Sequence, residues 1–198
     1  MSINSIANIA MLKANIAMIK TLKQSMDDAL KAIYELLEQD SKRDMPLLSL
    51  SIDLLCSIPG IGLLTAATII SEIGDFSAFS KPGKLAAYFG INPSVKQSGQ
   101  FKGTQNKMSK RGSKLLRRVI FTTALANIRK NRNGENINPV LYKYYHEKCK
   151  SKPKKVALGA VMHKLVNIIF AVLRDRKPFG LRNPEEHAKL LIAKKLAV

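Results

Sequence analysis

Apolar residues at Ile9, Leu12, Ile16, Ile19, Met26, Leu30, Ile33 and Leu37 recur at alternating steps of three and four, with Lys23 at the one interrupted position. This repeat keeps one stripe of a helix in line over four heptads. It excludes a strand, whose side chains alternate with a period of two. The spacing predicts one helix from about Ile6 to Gln39, roughly 50 Å long at a rise of about 1.5 Å per residue. Such a stripe can be covered by a second copy in a coiled coil, or by folding back on its own domain. Its persistence points to the coiled coil, and a polar residue such as Lys23 in the seam is a known device for fixing register or partner.

The rest of the chain reads as a different kind of unit. After the polar break "DSKRDMP", the segment "LLSLSIDLLCSIPGIGLLTAATIISEIGDF" reads helix, tight turn, helix. Pro59, Gly60 and Gly62 make the turn, Leu63 to Ile73 the second helix, and Gly74 its stop. "Ile58-Pro59-Gly60-Ile61-Gly62" fits the turn of a helix-hairpin-helix. There Gly60 and Gly62 would let the backbone approach a phosphate, and free N–H groups would point at it. The same pattern also suits a tight interhelical turn with no ligand. A short helix is expected from Leu85 to Phe89, ending at Gly90, and a loop from Pro93 to Met108. A helix within "SKRGSKLLRRVIFTTALANIRKN" is expected to be capped by Ser109, followed by an amphipathic helix in "NPVLYKYYHEKCK". "SKPKKVALGAVMHKLVNIIFAVLRDRKPF" holds a core helix, on which His163 reads as a packed histidine rather than a ligand. The expected fold is mainly α. A coiled-coil dimerisation helix over residues 1–45 precedes an all-α domain over 46–180, and a helical tail spans 181–198.

Charge narrows the function. The chain of 198 residues carries 33 Lys and Arg against 14 Asp and Glu, a net charge of +19. Between Phe76 and Gly134 there are 13 Lys and Arg and no carboxylate. A surface kept for solubility mixes both signs, so this block reads as a face for a polyanion, with nucleic acid first and an anionic membrane second. No apolar run reaches the roughly 18 residues of a bilayer span, and no secretory signal is evident. The expected location is therefore the cytoplasm. Cys56 and Cys149 match no metal or redox spacing and read as free thiols. A two-metal nuclease needs several converging carboxylates, and the basic block has none.

The segment from Asn92 to Arg118 concentrates the charge. Lys96, Lys102, Lys107, Lys110, Arg111, Lys114, Arg117 and Arg118 are the expected nucleic-acid ligands, together with Gly60 and Gly62. Several lie near the start of a helix, the end where its dipole disfavours cations. A bound phosphate would compensate. Ser94, Ser98, Ser109 and Ser113 lie among them. A serine can attack a phosphodiester if a base or strong positive field activates it and donors meet the developing charge. The residues alone do not single out which serine, since Ser and Gly are ordinary loop residues.

The ordered motifs do more. "SIPGIGLLTAATIISEIGDFSAFSKPGKLAAYFGINPSVKQSG", "MSKRGSKLLRRVIFTTALAN" and "NPVLYKYYHEKCKSKPKKVALGAVMHKLVNIIFAVL" together resemble the C-terminal transposase domain of the insertion-sequence one-ten family, which includes the Piv/MooV-type DNA invertases. The resemblance runs from about Leu54 to Phe179. It implies a DNA-binding recombinase part in which the serine of the Ser-Gly pair, Ser98, is the nucleophile. It implies a RuvC-like domain carrying four acidic metal ligands, so that Mg²⁺ is expected in that domain and no cofactor in this chain. It further implies DNA and a structured guide RNA as partners, and a homo-oligomer through the N-terminal helix. This chain begins at the coiled coil, and the RuvC-like half is not seen in it. It reads as a part working with a RuvC-like partner or full-length transposase, or alternatively as an inactive nucleic-acid-binding regulator of transposition. A basic structural protein with a helix-hairpin-helix accounts for the charge and the turn, but not for the ordered motifs after Gly90.

Overall fold

The computed structural model describes residues 3–42, 47–94, 97–98, 101–102 and 107–196. Two compact units are present, Met1–Ser49 and Leu50–Val198. The fold is mainly α, as its sequence patterning predicts.

The first unit is dominated by helix α1, Ile3–Ser41, which is unbroken over 39 residues. It extends past both expected ends, because no Gly or Pro interrupts this stretch. Its stripe residues Ile9, Leu12, Ile16, Ile19 and Met26 are 42 to 60% exposed, while Leu30, Ile33 and Leu37 are half-buried. Asp40 is buried, and its carboxylate accepts the backbone N–H groups of Leu48 and Ser49 at 3.0 and 2.8 Å. A negative charge is thereby held at the positive end of the next helix, α2, Leu47–Cys56.

In the second unit α2 buries Ile52, Leu54 and Leu55 and enters the Ile58–Gly62 turn. Helix α3 spans Leu63–Ile73. It ends at Gly74, whose left-handed backbone (φ +62) lets its N–H reach the Ile70 carbonyl at 2.9 Å. A single 3-10 turn, Phe76–Ala78, is capped by the Asp75 side chain accepting the Ser77 N–H. Helix α4 is Pro82–Tyr88, with proline in its first turn, where the missing N–H costs nothing. Helices α5 (Lys114–Asn127), α6 (Pro139–Cys149), α7 (Lys154–Asp175) and α8 (Pro184–Leu196) follow.

Helix α7 is the hub, packing against α4, α5 and α6. Its 22 residues have the length and hydropathy of a bilayer span, although Lys164 and Asn167 interrupt the apolar run. Over half of its apolar window is buried inside the protein, including Ala157, Val161, Leu165, Val166 and Ile169 at 0% exposure. It is the core helix that its patterning predicts.

The corner where the Pro59 turn, the end of α5 and the start of α6 meet is fixed by a buried carboxamide. Asn127, at the end of α5, donates through Nδ2 to the Pro59 carbonyl at 2.6 Å and to the Thr123 carbonyl at 2.9 Å. Its Oδ1 accepts from Asn138 Nδ2 at 2.9 Å, and Asn138 Oδ1 caps α6 by accepting the Leu141 N–H. Both asparagines are fully buried. Removing one partner from such a relay leaves the others desolvated and unpaired. Asn127→Ala is therefore expected to cost about 3 kcal/mol of stability, read as a lowered urea midpoint at unchanged slope.

Candidate nucleic-acid interface

The segment between α4 and α5 is expected to be a loop, and here the structure differs. Its two sides run antiparallel. The Ser113 N–H donates to the Tyr88 carbonyl (2.9 Å), Lys110 to Gly90 (3.2 Å), Ser109 to Asn92 (2.8 Å) and Ser94 to Lys107 (2.7 Å). Beyond the Pro93–Met108 bridge, strand β1 (Gln97–Ser98) pairs with β2 (Phe101–Lys102), with Ser98 opposite Phe101. The described parts of the segment thus pair as a β arm, with Ser98 in the two-residue pair beyond the bridge. Its polar, glycine-rich composition hides the strand alternation on which a sequence reading depends.

Two glycines permit the root of this arm. At Gly112 a Cβ would fall 2.5 Å from the Gly90 nitrogen and into the Tyr88 carbonyl; at Gly90 (φ +67) it would fall 2.8 Å from the Gly112 nitrogen. Only bare backbones can cross there. The root also rests on α7. Asn92 Oδ1 lies 3.0 Å from His163 Nε2, and the Met108 side chain approaches Gly159, one helical turn earlier. His163 is thus a partnered histidine, and burial pushes its imidazole below the ordinary range.

Helix α5 starts later than its sequence suggests. Lys110 takes a left-handed backbone (φ +56) and Gly112 lies in the crossing, so Ser113 and not Ser109 is the cap, accepting the Leu116 N–H at 3.2 Å. Ser113 Oγ donates to Glu72 Oε2 at 2.6 Å, and the Tyr88 hydroxyl donates to the Glu72 carbonyl at 2.8 Å. Glu72 of α3 therefore ties both sides of the arm's root. It also sets a carboxylate at the basic start of α5, where a phosphate alone is expected from the sequence. No local pattern marks it, because it lies 41 residues from its partner.

The expected ligands fall into four groups. Lys107, Lys110, Arg111, Lys114 and Arg118 are exposed along the returning side of the arm and the first turns of α5. Arg117 is half-buried against bare Gly90, and its Nη1 is enclosed without a partner among the described residues. Lys102 lies in β2; Lys96 lies outside the described residues, as do the side chains of Ser98 and Lys102. Gly60 and Gly62 are near the opposite end of α5. A Cβ at Gly60 (φ +79) would meet Ala126 Cβ at 2.9 Å, so this glycine has a packing role. Gly62 is open, and no side chain caps the start of α3 behind it. The exposed face of α5 connecting the groups carries Leu115, Arg118 and Phe121. Among the described residues, no three His, Cys, Asp or Glu side chains gather as a metal site requires.

Residues 52–145, from α2 into α6, match the transposase IS116/IS110/IS902 family. This stretch is similar to the transposase domain of that family. Among curated relatives, the chain is 35% identical over 138 residues to the pilin gene-inverting protein of Moraxella lacunata, covering 69% of this chain and 41% of that protein. It is 31% identical over 123 residues to the transposase for insertion sequence element IS1111A of Coxiella burnetii, covering 62% and 33%. It is 30% identical over 131 residues to the IS110 43.6 kDa protein of Streptomyces coelicolor, covering 66% and 30%. The aligned part of the chain spans less than half the length of each of these relatives. The matched stretch contains the Gly60 turn, the β arm and the basic α5.

Two predictions test the arm's root. Gly112→Ala is expected to destabilise the domain by roughly 1–3 kcal/mol, because the crossing backbones cannot separate without breaking the arm; chemical denaturation measures it. For His163, the folded fold-state proton affinity is lower than the unfolded one, so the unfolded chain takes the proton first. Stability should fall as pH drops through about 6.5, and His163→Gln should flatten this slope in thermal melts from pH 7 to 5. His187, shifted the same way by burial, supplies a residual slope of the same sign.

Proposed function

We propose that this chain is the DNA-binding C-terminal part of an insertion-sequence transposase or recombinase, and that Ser98 is its nucleophile. The observation that carries the reading is the β arm. Ser98 is paired in it beyond the Pro93–Met108 bridge, its root is clamped at Gly90 and Gly112, and exposed cations lead from the arm into α5. A clamped arm fixes where a nucleophile can reach, and the cations supply donors for phosphate oxygens. Arg111 and Arg118 suit phosphate through their planar forks.

In the reaction, the Ser98 Oγ–phosphorus bond forms as the bond from phosphorus to a deoxyribose oxygen breaks. The serine proton passes to a base, and the leaving oxygen gains one. The phosphoserine link keeps the phosphodiester's bond energy for rejoining. That base and the acidic metal ligands belong to a RuvC-like partner domain. The exposed stripe of α1 is the seam through which copies associate, and a structured RNA joins DNA as a partner. The pilin gene-inverting name of the Moraxella relative is in keeping with such strand exchange.

Duplex DNA binding across a salt series tests the first half. Replacing Lys110, Arg111 and Arg118 with Ala should make the salt dependence shallower by roughly two to three; an unchanged slope rejects the interface. Ser98→Ala, assayed with the RuvC-like partner, should keep DNA affinity and lose the covalent DNA adduct. Binding without any serine-dependent adduct would instead support the alternative of an inactive regulator of transposition.

A further inference from the structure

Helix α6 carries a second basic surface, and this one is aromatic. Leu141 points into the core, and the rings of Tyr142, Tyr144, Tyr145 and His146 occupy the two shoulders of the helix. On one shoulder His146 packs against Tyr142 at a ring separation of 4.3 Å and edge-on against Tyr145 at 5.4 Å. On the other, the ammonium groups of Lys148 and of Lys164 from α7 each lie 5.4 Å from the centre of the Tyr144 ring.

Two like charges sharing one ring repel each other. Neither lysine has a carboxylate within ion-pair distance among the described residues, and Glu147 is the one acid on α6. From Pro139 to Lys177 there are 10 Lys and Arg and 2 acids. The imidazole of His187 on α8 is pushed down first by burial and then by the charges of Arg182 and Lys164. An anion between Lys148 and Lys164 relieves their repulsion. The aromatic shoulder across the helix offers ring surface that a duplex, with its bases stacked inside, cannot use.

We propose that α6 binds an unpaired nucleic-acid strand, with a phosphate held by Lys148 and Lys164 and bases stacked on the Tyr142–His146 shoulder. Combining a positive track with sequence-tolerant stacking is how single strands are held. The surface uses none of the cations of the β arm, so the proposal does not rest on the Ser98 reading.

The test uses the full chain and three fluorescent probes: a uridine homopolymer and a thymidine homopolymer, each about twelve nucleotides long, and a duplex of similar length. Tyr142→Leu with His146→Leu keeps apolar bulk and removes the stacking faces. It should weaken unpaired-strand binding about tenfold while duplex affinity and the salt slope stay unchanged. Lys148→Gln with Lys164→Gln should make the salt slope for the unpaired strands shallower by roughly 1.4. Either homopolymer behaving so supports the proposal, and the one bound more tightly identifies the strand as RNA or DNA. Unpaired-strand binding that survives the aromatic change, an equal loss for the duplex, or a salt slope indifferent to the two lysines overturns it. The outcomes for Lys110, Arg111 and Arg118 on duplex DNA remain separate.

Discussion

The close crossing of Gly90 and Gly112 is the constraint on which the candidate site depends. Backbone meets backbone there with no space for a Cβ on either side. The crossing turns a polar, glycine-rich segment into two antiparallel sides, and it delays α5 until Ser113. The remaining contacts around the root hold this geometry in place. Glu72 ties Tyr88 and Ser113, while His163 and Gly159 of α7 receive Asn92 and Met108. The root of the arm is therefore held by contacts to two different helices.

The other end of α5 is held by a different device. Asn127 is a buried polar group that would be costly if any partner were missing. With every hydrogen bond made, it couples the Pro59 turn, the last turn of α5 and the cap of α6. Helix α5 is thus pinned at its start by Glu72 and the glycine crossing, and at its end by the asparagine pair. The exposed face between them, with Arg118 and Phe121, is displayed by a helix that cannot rotate without breaking one of these anchors.

Much of this was legible in the sequence, and the parts that were not share one physical property. The heptad stripe, the Leu63–Ile73 helix with its Gly74 stop and the buried α7 all arise from local periodicity and local backbone chemistry. The β arm did not show, because its strands are short and polar and are held by a long-range glycine contact rather than by a buried face. Ser109 looked like a helix cap from its spacing. The structure uses Ser113, because the crossing holds Gly112 outside the helix. Gly60 carried a signal for phosphate approach that its packing against Ala126 explains equally well. Glu72 and Asn127 act through partners 41 and 68 residues away, beyond the reach of any motif.

The acids explain why the basic face stays available. Among the described residues, the side-chain ion pairs join Lys31 to Glu35, Lys42 to Glu38 and Arg174 to Asp175, all outside the carboxylate-free block. Glu72 is the one carboxylate hydrogen-bonded at the start of α5, and it is engaged by Ser113. It offsets the helix dipole's penalty on nearby cations without pairing with any of them. Lys107, Lys110, Arg111, Lys114 and Arg118 consequently remain exposed and mutually repelling. A fold optimised for its own stability would place acids among them. Keeping them apart makes sense when a polyanion supplies the missing charge, and the release of its counterions then favours the bound state.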